Sequence, residues 1–191
     1  GPVMLFSVAT RVQNQKTEQA IQIAQGEVDK VRRVVEQGGD YAGDLTALSL
    51  VETTLADTVL VPAPTTFIDD TATATNVNQA KRFDADGDGD SDFLIQLFRT
   101  EGVKVSSNTA GVASTPVVFD VGIRVYDARA ENNAGSLRTD DAGLTFTSGE
   151  GDRGSRPLAV MYSQISQGDR DASLCHYWEY TGSTPTNLVC N

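Results

Sequence analysis

The sequence predicts an α+β protein in which one long N-terminal α-helix packs on an antiparallel β-sheet. Three observations lead to this prediction. An apolar stripe of helical period lies near the N-terminus, strand-like segments fill the second half, and no helical pattern separates those segments. The 191 residues suit one domain with a sizeable core. We expect residues 3–38 to form the helix and residues 39–191 a single β-rich head.

The helix is predicted from apolar side chains that recur every third or fourth residue, which places them on one face. This stripe consists of Ile21, Ala24, Val28, Val31 and Val35. Gly38 and Gly39 end the helix, because glycine readily takes the left-handed conformation found at helix C-termini. We expect the stripe to be buried against the sheet.

The start of the helix has a different character. Residues 3–9 are apolar on all sides, whereas residues 10–19 are polar on almost all sides. An apolar segment this short cannot cross a bilayer, which takes about 20 residues. Gly1 and Pro2 resemble the scar left by a tag protease. We expect the natural helix to continue upstream as a longer apolar segment.

A long irregular connection follows the helix. It predicts a brief strand over residues 58–61 and an exposed loop over residues 69–78. A short helix is expected around Leu45, Leu48, Leu50, Val51 and Leu55. A connection of about forty residues in a compact domain is usually functional or a subdomain of its own.

The rest of the head is predicted to be β-structure. The candidate strands are residues 79–83, 93–100, 117–128, 144–147, 158–165 and 176–180. The third alternates best, with one face made by Val117, Phe119, Val121, Ile123 and Val125. Asp120, Arg124 and Tyr126 belong to its other face.

The net charge of −11 and the pI near 4.4 argue against direct nucleic-acid binding, which needs clustered Lys and Arg.

An acidic loop is the strongest chemical signal in the chain. Its carboxylates are Asp84, Asp86, Asp88, Asp90 and Asp92, with no Lys or Arg between them. These charges repel one another, and Ca²⁺ relieves that repulsion while accepting six to eight oxygen ligands. Mg²⁺ is less suited, because it keeps its waters and demands a stricter octahedron. We expect calcium here; the alternative is a metal-free acidic turn.

The loop resembles the DxDxDGxxD calcium loops in β-hairpins of integrin-type propeller blades. It is not an EF-hand, because Ile95 stands where that motif needs a bidentate Glu. The resemblance implies the following ligands: the side chains of Asp84, Asp86, Asp88 and Asp92 and the carbonyl of Asp90. It does not imply a propeller, since the unit occurs once.

The only two cysteines, Cys175 and Cys190, match neither a CxxC nor a zinc pattern. A disulfide between them would stabilise the fold by about 3 kcal/mol and would indicate an oxidising compartment. The alternative is two separate buried thiols. His176 adjoins Cys175, but the two do not suggest a catalytic thiol and its base, because neighbouring residues on a strand point to opposite faces.

Trp178 suits either the core or a sugar-stacking surface, and we favour the core.

Together, these features resemble a type IV pilin-like protein, a minor pilin or pseudopilin. The resemblance rests on the long helix with its apolar start at residues 3–6, the long connection, the sheet and the pair Cys175 and Cys190. In many pilins such a pair closes a C-terminal disulfide loop, and calcium sites also occur in this family.

The resemblance implies a non-enzymatic subunit of a pilus or secretion filament. An upstream segment would anchor it in the inner membrane and then pack against other pilin or pseudopilin subunits. The head would face the periplasm first and the cell surface later. Two other functions stay open: an extracellular calcium-dependent adhesion or carbohydrate-binding module, and a periplasmic or secreted hydrolase that uses an unrecognised pair of acids.

Overall fold

The computed structural model describes residues 3–105, 114–141, 154–168, 177, 178 and 180–182. Its helices are α1 (Val3–Gln37) and the short α2 (Ala42–Ala47). Its strands are β1 (Val51–Glu52), β2 (Thr66–Ile68), β3 (Gln79–Phe83), β4 (Phe93–Arg99), β5 (Val103–Val105), β6 (Thr115–Asp127) and β7 (Ala159–Ser166). Two 3-10 helices lie at Thr58–Leu60 and Ala128–Asn133. The α+β class is therefore confirmed.

The sheet is mixed, and the prediction of an antiparallel sheet was wrong. Antiparallel pairing joins β3 to β4 and joins β6 to β4, β5 and β7, but β1 runs parallel to β4 and β2 parallel to β3. Both parallel strands belong to the connection after the helix, and they are too short to show an alternating pattern. Residues 69–78 carry the chain back along the sheet, so β3 can follow β2 in the same direction.

Helix α1 packs on β6 and β7 through a stripe of small side chains. Its fully or almost fully buried residues are Ala20, Ala24, Val28, Val31 and Val35. Ile21 was expected in this stripe but is 39% exposed, because Ala20 occupies the position that faces the sheet. Gly38 and Gly39 have φ of 69° and 79°, which confirms their predicted role at the helix end.

Among the described residues, no helix combines the length and apolar character that crossing a bilayer requires.

Strand β6 is the centre of the core. Phe119, Val121 and Ile123 lie in the main cluster under α1, as the alternation predicted. Tyr126 belongs to a smaller cluster of Ala80, Leu94, Tyr126 and Ala130. Arg124, expected on the same face as Tyr126, is also fully buried. Both faces of β6 are therefore covered.

Three local predictions in the head were wrong. Residues 58–60 form a 3-10 helix rather than a strand, because the Asp57 carboxylate accepts the Val59 N–H at 2.8 Å and caps the turn. The expected helix around Leu45 ends at Ala47, and β1 follows it. Tyr177, Trp178 and Tyr180 are helical, whereas a strand was predicted for residues 176–180. The predicted strand at residues 144–147 lies outside the described residues.

Candidate metal centre

The acidic loop joins β3 to β4 in a hairpin, as the sequence predicted. Phe83 and Phe93 form the last registered pair before the loop, and the Asp92 N–H donates to the Phe83 carbonyl at 2.9 Å. Phe93 is fully buried in the main core. The loop therefore projects from a fixed base.

Three carboxylates converge within this loop. One oxygen from each of Asp84, Asp86 and Asp88 lies within 4.8 Å of the other two. Two oxygens bound to one calcium ion at 2.3–2.6 Å lie at most about 5 Å apart. The donor type and the spacing of these carboxylates therefore fit Ca²⁺.

Asp84 is the residue that shapes the turn. Its two carboxylate oxygens accept the N–H groups of Gly89 at 2.8 Å and Gly87 at 2.6 Å. These hydrogen bonds lower the pKa of Asp84, first through Gly89 and then through Gly87. The φ angle of Gly87 is 78° and that of Gly89 is 97°, and residues with an L side chain rarely adopt such positive values. The local backbone therefore keeps Asp84 ionised and brings its neighbours close.

Asp86 is shifted in the opposite direction. The strongest single influence, the hydrogen bond from the Asp88 N–H, lowers its pKa, but desolvation and the charges of Asp88, Asp92 and Asp84 together outweigh that effect. The net result is a raised pKa for Asp86. The repulsion that the sequence predicted is thus present, and a bound cation would relieve it.

The carboxylates of the other two predicted residues, Asp92 and Asp90, both lie outside the cluster of three. The Asp92 carboxylate accepts the Ala85 N–H at 2.9 Å, which holds it beside the cluster. Asp90 donates its N–H to the Asp88 carboxylate at 2.8 Å, while its own carboxylate is exposed and outside the cluster of three. This difference agrees with a loop in which Asp90 contributes through its main chain.

The loop also contacts parts of the chain that no sequence pattern connects with it. The Ala128 N–H donates to the Asp92 carbonyl at 3.0 Å. The preceding residue, Asp127, forms an ion pair with Lys16 of α1 at 3.2 Å. No local pattern reveals a contact between residues 111 positions apart, so sequence reasoning missed Lys16 and Asp127.

The remaining predicted site residues are only partly described. Cys175, Cys190 and His176 lie outside the described residues, so the disulfide stays a prediction. Trp178 is partly exposed and does not belong to either core cluster. The nearby Tyr180 hydroxyl donates to Asp120 at 2.5 Å, and this contact fixes the helical segment on β6.

No protein-family model matches the chain, and no curated protein or solved structure is significantly similar to it. Its function therefore has to be inferred from its own residues and their geometry.

Proposed function

We propose that the chain is a non-enzymatic structural subunit of a type IV pilin-like filament, with a head stabilised by calcium. The observation that carries this proposal is the extent of α1 beyond the head. Its 35 residues correspond to a rod of about 50 Å at 1.5 Å per residue. Among the helix side chains that the structure describes, which start at residue 11, the first buried one is Thr17.

The N-terminal part of α1 is the segment that a filament would use. Residues 3–15 precede both the ion pair of Lys16 and the buried stripe, and they extend the helix by about 20 Å. Val12 lies in this segment and is 50% exposed. A helix that continues past its own domain gains stability when the helices of other subunits bury such residues.

The acidic loop supports the calcium part of the proposal. The three carboxylates of Asp84, Asp86 and Asp88 are close enough to share one ion, and the raised pKa of Asp86 reflects the cost of leaving them without one. Since Phe93 joins the loop directly to the core, calcium would order the hairpin from which β4 starts. Calcium would thereby stabilise the head that neighbouring subunits contact.

The alternative of a calcium-dependent glycan-binding module receives less support. Within the described residues, the exposed aromatic side chains are Tyr162 and Tyr177. Tyr162 of β7 is paired in register with Gly122 of β6, which is in turn paired with Phe98 of β4. Tyr177 lies one helical turn from Tyr180, whose hydroxyl contacts Asp120 of β6. These positions are near the far end of β4, roughly 20 Å along the strand from the acidic loop. A sugar held by the calcium ion would not reach them.

The filament proposal is tested in the cells that make the protein, with the protein expressed from its natural gene. Filaments are sheared from the surface and sedimented, and the protein is followed by immunoblot. We expect the protein in the membrane and filament fractions. Val12→Asp should reduce its incorporation into filaments, because a charge then occupies a contact between helices.

Asn14→Asp is the matched control, since it adds the same charge at an exposed polar position of the same segment. It should leave incorporation nearly unchanged. Both variants should melt at the wild-type temperature, because neither side chain belongs to the core. A protein found only in soluble fractions, or equal incorporation of the two variants, would count against the proposal.

A further inference from the structure

A cavity of about 350 Å³ opens between α1, α2 and the β3–β4 part of the sheet. Its apolar lining includes Leu48, Phe83, Ile95 and Leu97. The volume lies at the lower end of the range for small-molecule sites, and eight of the fourteen lining residues are polar or charged. The cavity shares Asp84 with the acidic loop but is otherwise formed by different residues.

Three hydrogen-bond donors in the lining have no acceptor among the described residues. The Lys81 ammonium forms no ion pair there. The Gln79 side chain accepts the N–H groups of Thr75 and Asn76 through its oxygen, at 2.7 and 3.0 Å, which leaves its NH₂ group unused. Ser49 accepts the Ala74 N–H at 3.1 Å, which leaves its hydroxyl proton unused.

Gln79 and Lys81 lie on the same face of β3, because alternate residues of a strand share a face. Lys81 is paired in register with Ile95 of β4, and both residues line the cavity. Ser49 forms part of the opposite wall, at the end of α2. The three donors thus approach one space from two sides.

The charged side chains of the lining sum to zero only when Lys81 is included. The cations are Lys30, Lys81 and Arg82, and the acids are Glu27, Asp70 and Asp84. Lys30 is bound to Glu27 at 2.6 Å, and Arg82 is bound to Asp69 and Glu131. Asp84 is held by the glycine N–H groups of its own loop, and Asp70 is exposed. Lys81 is thus the one cation of the lining without a carboxylate partner among the described residues, so it is the group that a singly charged anion would contact.

Ser49 is further marked by its backbone. It has φ of 63°, the only positive value for a residue other than glycine among the described residues. Glycine is usual at this position, directly after a helix end, and another residue there costs free energy. A strained residue whose hydroxyl lines a cavity is typical of a site where the side chain has a function.

We propose that this cavity binds a small amphipathic carboxylate. The Lys81 ammonium and the Gln79 and Ser49 donors hold its carboxylate group, and Leu48, Ile95 and Leu97 contact its apolar body. A carboxylate has two oxygens that accept several hydrogen bonds, which matches the three free donors. A phosphate dianion fits less well, because Lys81 alone among the cations of the lining lacks a carboxylate partner in the described residues and would balance only one of its charges.

Octanoate is the probe for the test, and octanamide is its uncharged counterpart of nearly equal size. Each is titrated into the isotope-labelled protein, and the shifts of the backbone amides are followed by NMR. We expect octanoate to shift the amides of Ser49, Lys81 and Leu97 with saturation. Octanamide should bind at least tenfold more weakly, since it cannot form the charge-assisted hydrogen bond to Lys81.

The variants separate charge from packing. Lys81→Met keeps the apolar stem and should weaken octanoate about tenfold or more, whereas Lys81→Arg should retain most of the affinity. Gln79→Glu keeps the acceptor for residues 75 and 76 but replaces the amide donor with a negative charge, so it should also weaken octanoate. Lys104→Met removes the same charge from β5, which pairs with β6 rather than β3, and should bind like the wild type.

The proposal is overturned by any of three results. These are no saturable shift with octanoate, equal affinities for octanoate and octanamide, or equal octanoate affinities of the wild type and both Lys81→Met and Gln79→Glu. The comparison of the two probes uses the wild-type protein, so it decides the question even if a variant does not fold.

Discussion

Lys16 and Asp127 join the polar part of α1 to the end of β6 through an ion pair of 3.2 Å. The Asp127 side chain is only 2% exposed, whereas that of Lys16 is 35% exposed. Arg129 donates to the same carboxylate from its main chain at 3.0 Å and from its guanidinium at 3.1 Å. The N–H of Ala128, the residue directly after Asp127, donates to the Asp92 carbonyl at the end of the acidic loop. The buried Asp127 carboxylate therefore joins the helix to the end of β6, and the residue that follows it joins this end to the candidate calcium loop.

The Asp127 contacts predict how stability depends on pH. Desolvation, the largest single influence, raises the pKa of Asp127, but the hydrogen bonds from Arg129 and the charge of Lys16 outweigh it, and the pKa is lowered. A carboxylate with a lowered pKa stabilises the fold above its unfolded pKa of about 3.9, and this contribution is lost as the pH falls through the folded pKa. Asp127→Asn should destabilise the protein by about 1–3 kcal/mol at pH 7 and by much less at pH 2.

Urea unfolding between pH 7 and pH 2, with chelator present, measures this difference. Asp29→Asn is the control, because Asp29 is 60% exposed and forms only a local helix pair with Arg32. Its effect should stay small at every pH. A constant difference between the wild type and Asp127→Asn across this range would show that the ion pair does not supply the stability.

Calcium should raise the stability of the head. An ion that binds only the folded loop stabilises the protein by about 2.7 kcal/mol at a hundredfold excess over its dissociation constant. Asp88→Asn should abolish most of this increment, because the Asp88 carboxylate belongs to the cluster of three. Melting curves with chelator and with millimolar calcium, together with calorimetric titration, give the measurement.

Asp90→Asn is the matched control for calcium, since it removes the same charge from the same loop but from a carboxylate outside that cluster. It should keep most of the increment, as should Ser91→Ala. Equal losses in Asp88→Asn and Asp90→Asn would indicate that only the total charge of the loop matters. Superimposable wild-type curves with and without calcium would mean that the loop is a metal-free acidic turn.

The features that the sequence predicted correctly are local in the chain. Periodic apolar residues and nearby glycines predict three such features: the bounds of α1, the β3–β4 hairpin and the two faces of β6. Each of these signals lies within a few residues of the feature that it predicts. The parallel strands β1 and β2 escaped prediction because two or three residues carry no period. The contacts of Lys16 and Arg124 escaped it because their partners lie far away along the chain.

Ser49 gives a prediction about backbone strain. It ends α2 with its N–H on the Thr46 carbonyl at 2.9 Å, and the Leu50 N–H reaches the Leu45 carbonyl at 3.2 Å. Ser49→Ala should cost about 1–2 kcal/mol, because the buried Ala74 N–H loses its acceptor while the strain persists. Ser49→Gly loses the same hydrogen bond but relieves the strain, so its cost should be smaller by about 1 kcal/mol.

Urea unfolding of these two variants measures the order of their stabilities. Thr46→Ala is a control in the same helix, because Thr46 is exposed and bonds only to the Ala42 carbonyl. It should change the stability little. A Ser49→Ala variant at least as stable as Ser49→Gly would contradict the strain at this position.

Arg124 gives the largest expected effect on stability. It is fully buried, and none of its contacts among the described residues is a carboxylate. Its guanidinium donates to the Val61 carbonyl at 2.8 Å and to the Pro62 carbonyl at 3.3 Å, and it lies 4.9 Å from the centre of the Phe98 ring. Planar donors in a fork, together with stacking on an aromatic ring, are properties of arginine that lysine lacks.

Arg124→Met keeps much of the apolar volume but removes the guanidinium donors to the carbonyls of residues 58, 59 and 61, whereas Gln96 still donates to the Pro62 carbonyl. The Val61 carbonyl then loses its partner inside the protein, so we expect a loss of about 2–4 kcal/mol. Arg124→Lys should be no more stable than Arg124→Met, because it buries an ammonium that cannot reach the same set of carbonyls. Hydrogen exchange should show faster exchange at the N–H groups of Leu60 and Val61, which close the 3-10 helix.

Tyr162→Phe is the matched control for Arg124, because it removes a single hydrogen bond of 3.2 Å to the guanidinium from a residue that is 38% exposed. Its cost should stay near or below about 1 kcal/mol. If Arg124→Met were as stable as Tyr162→Phe, with unchanged exchange at residues 60 and 61, the segment would be held by its own capping at Asp57. A large loss of unfolding free energy in both Arg124→Met and Arg124→Lys would show that the shape of the guanidinium, rather than its charge, anchors this segment.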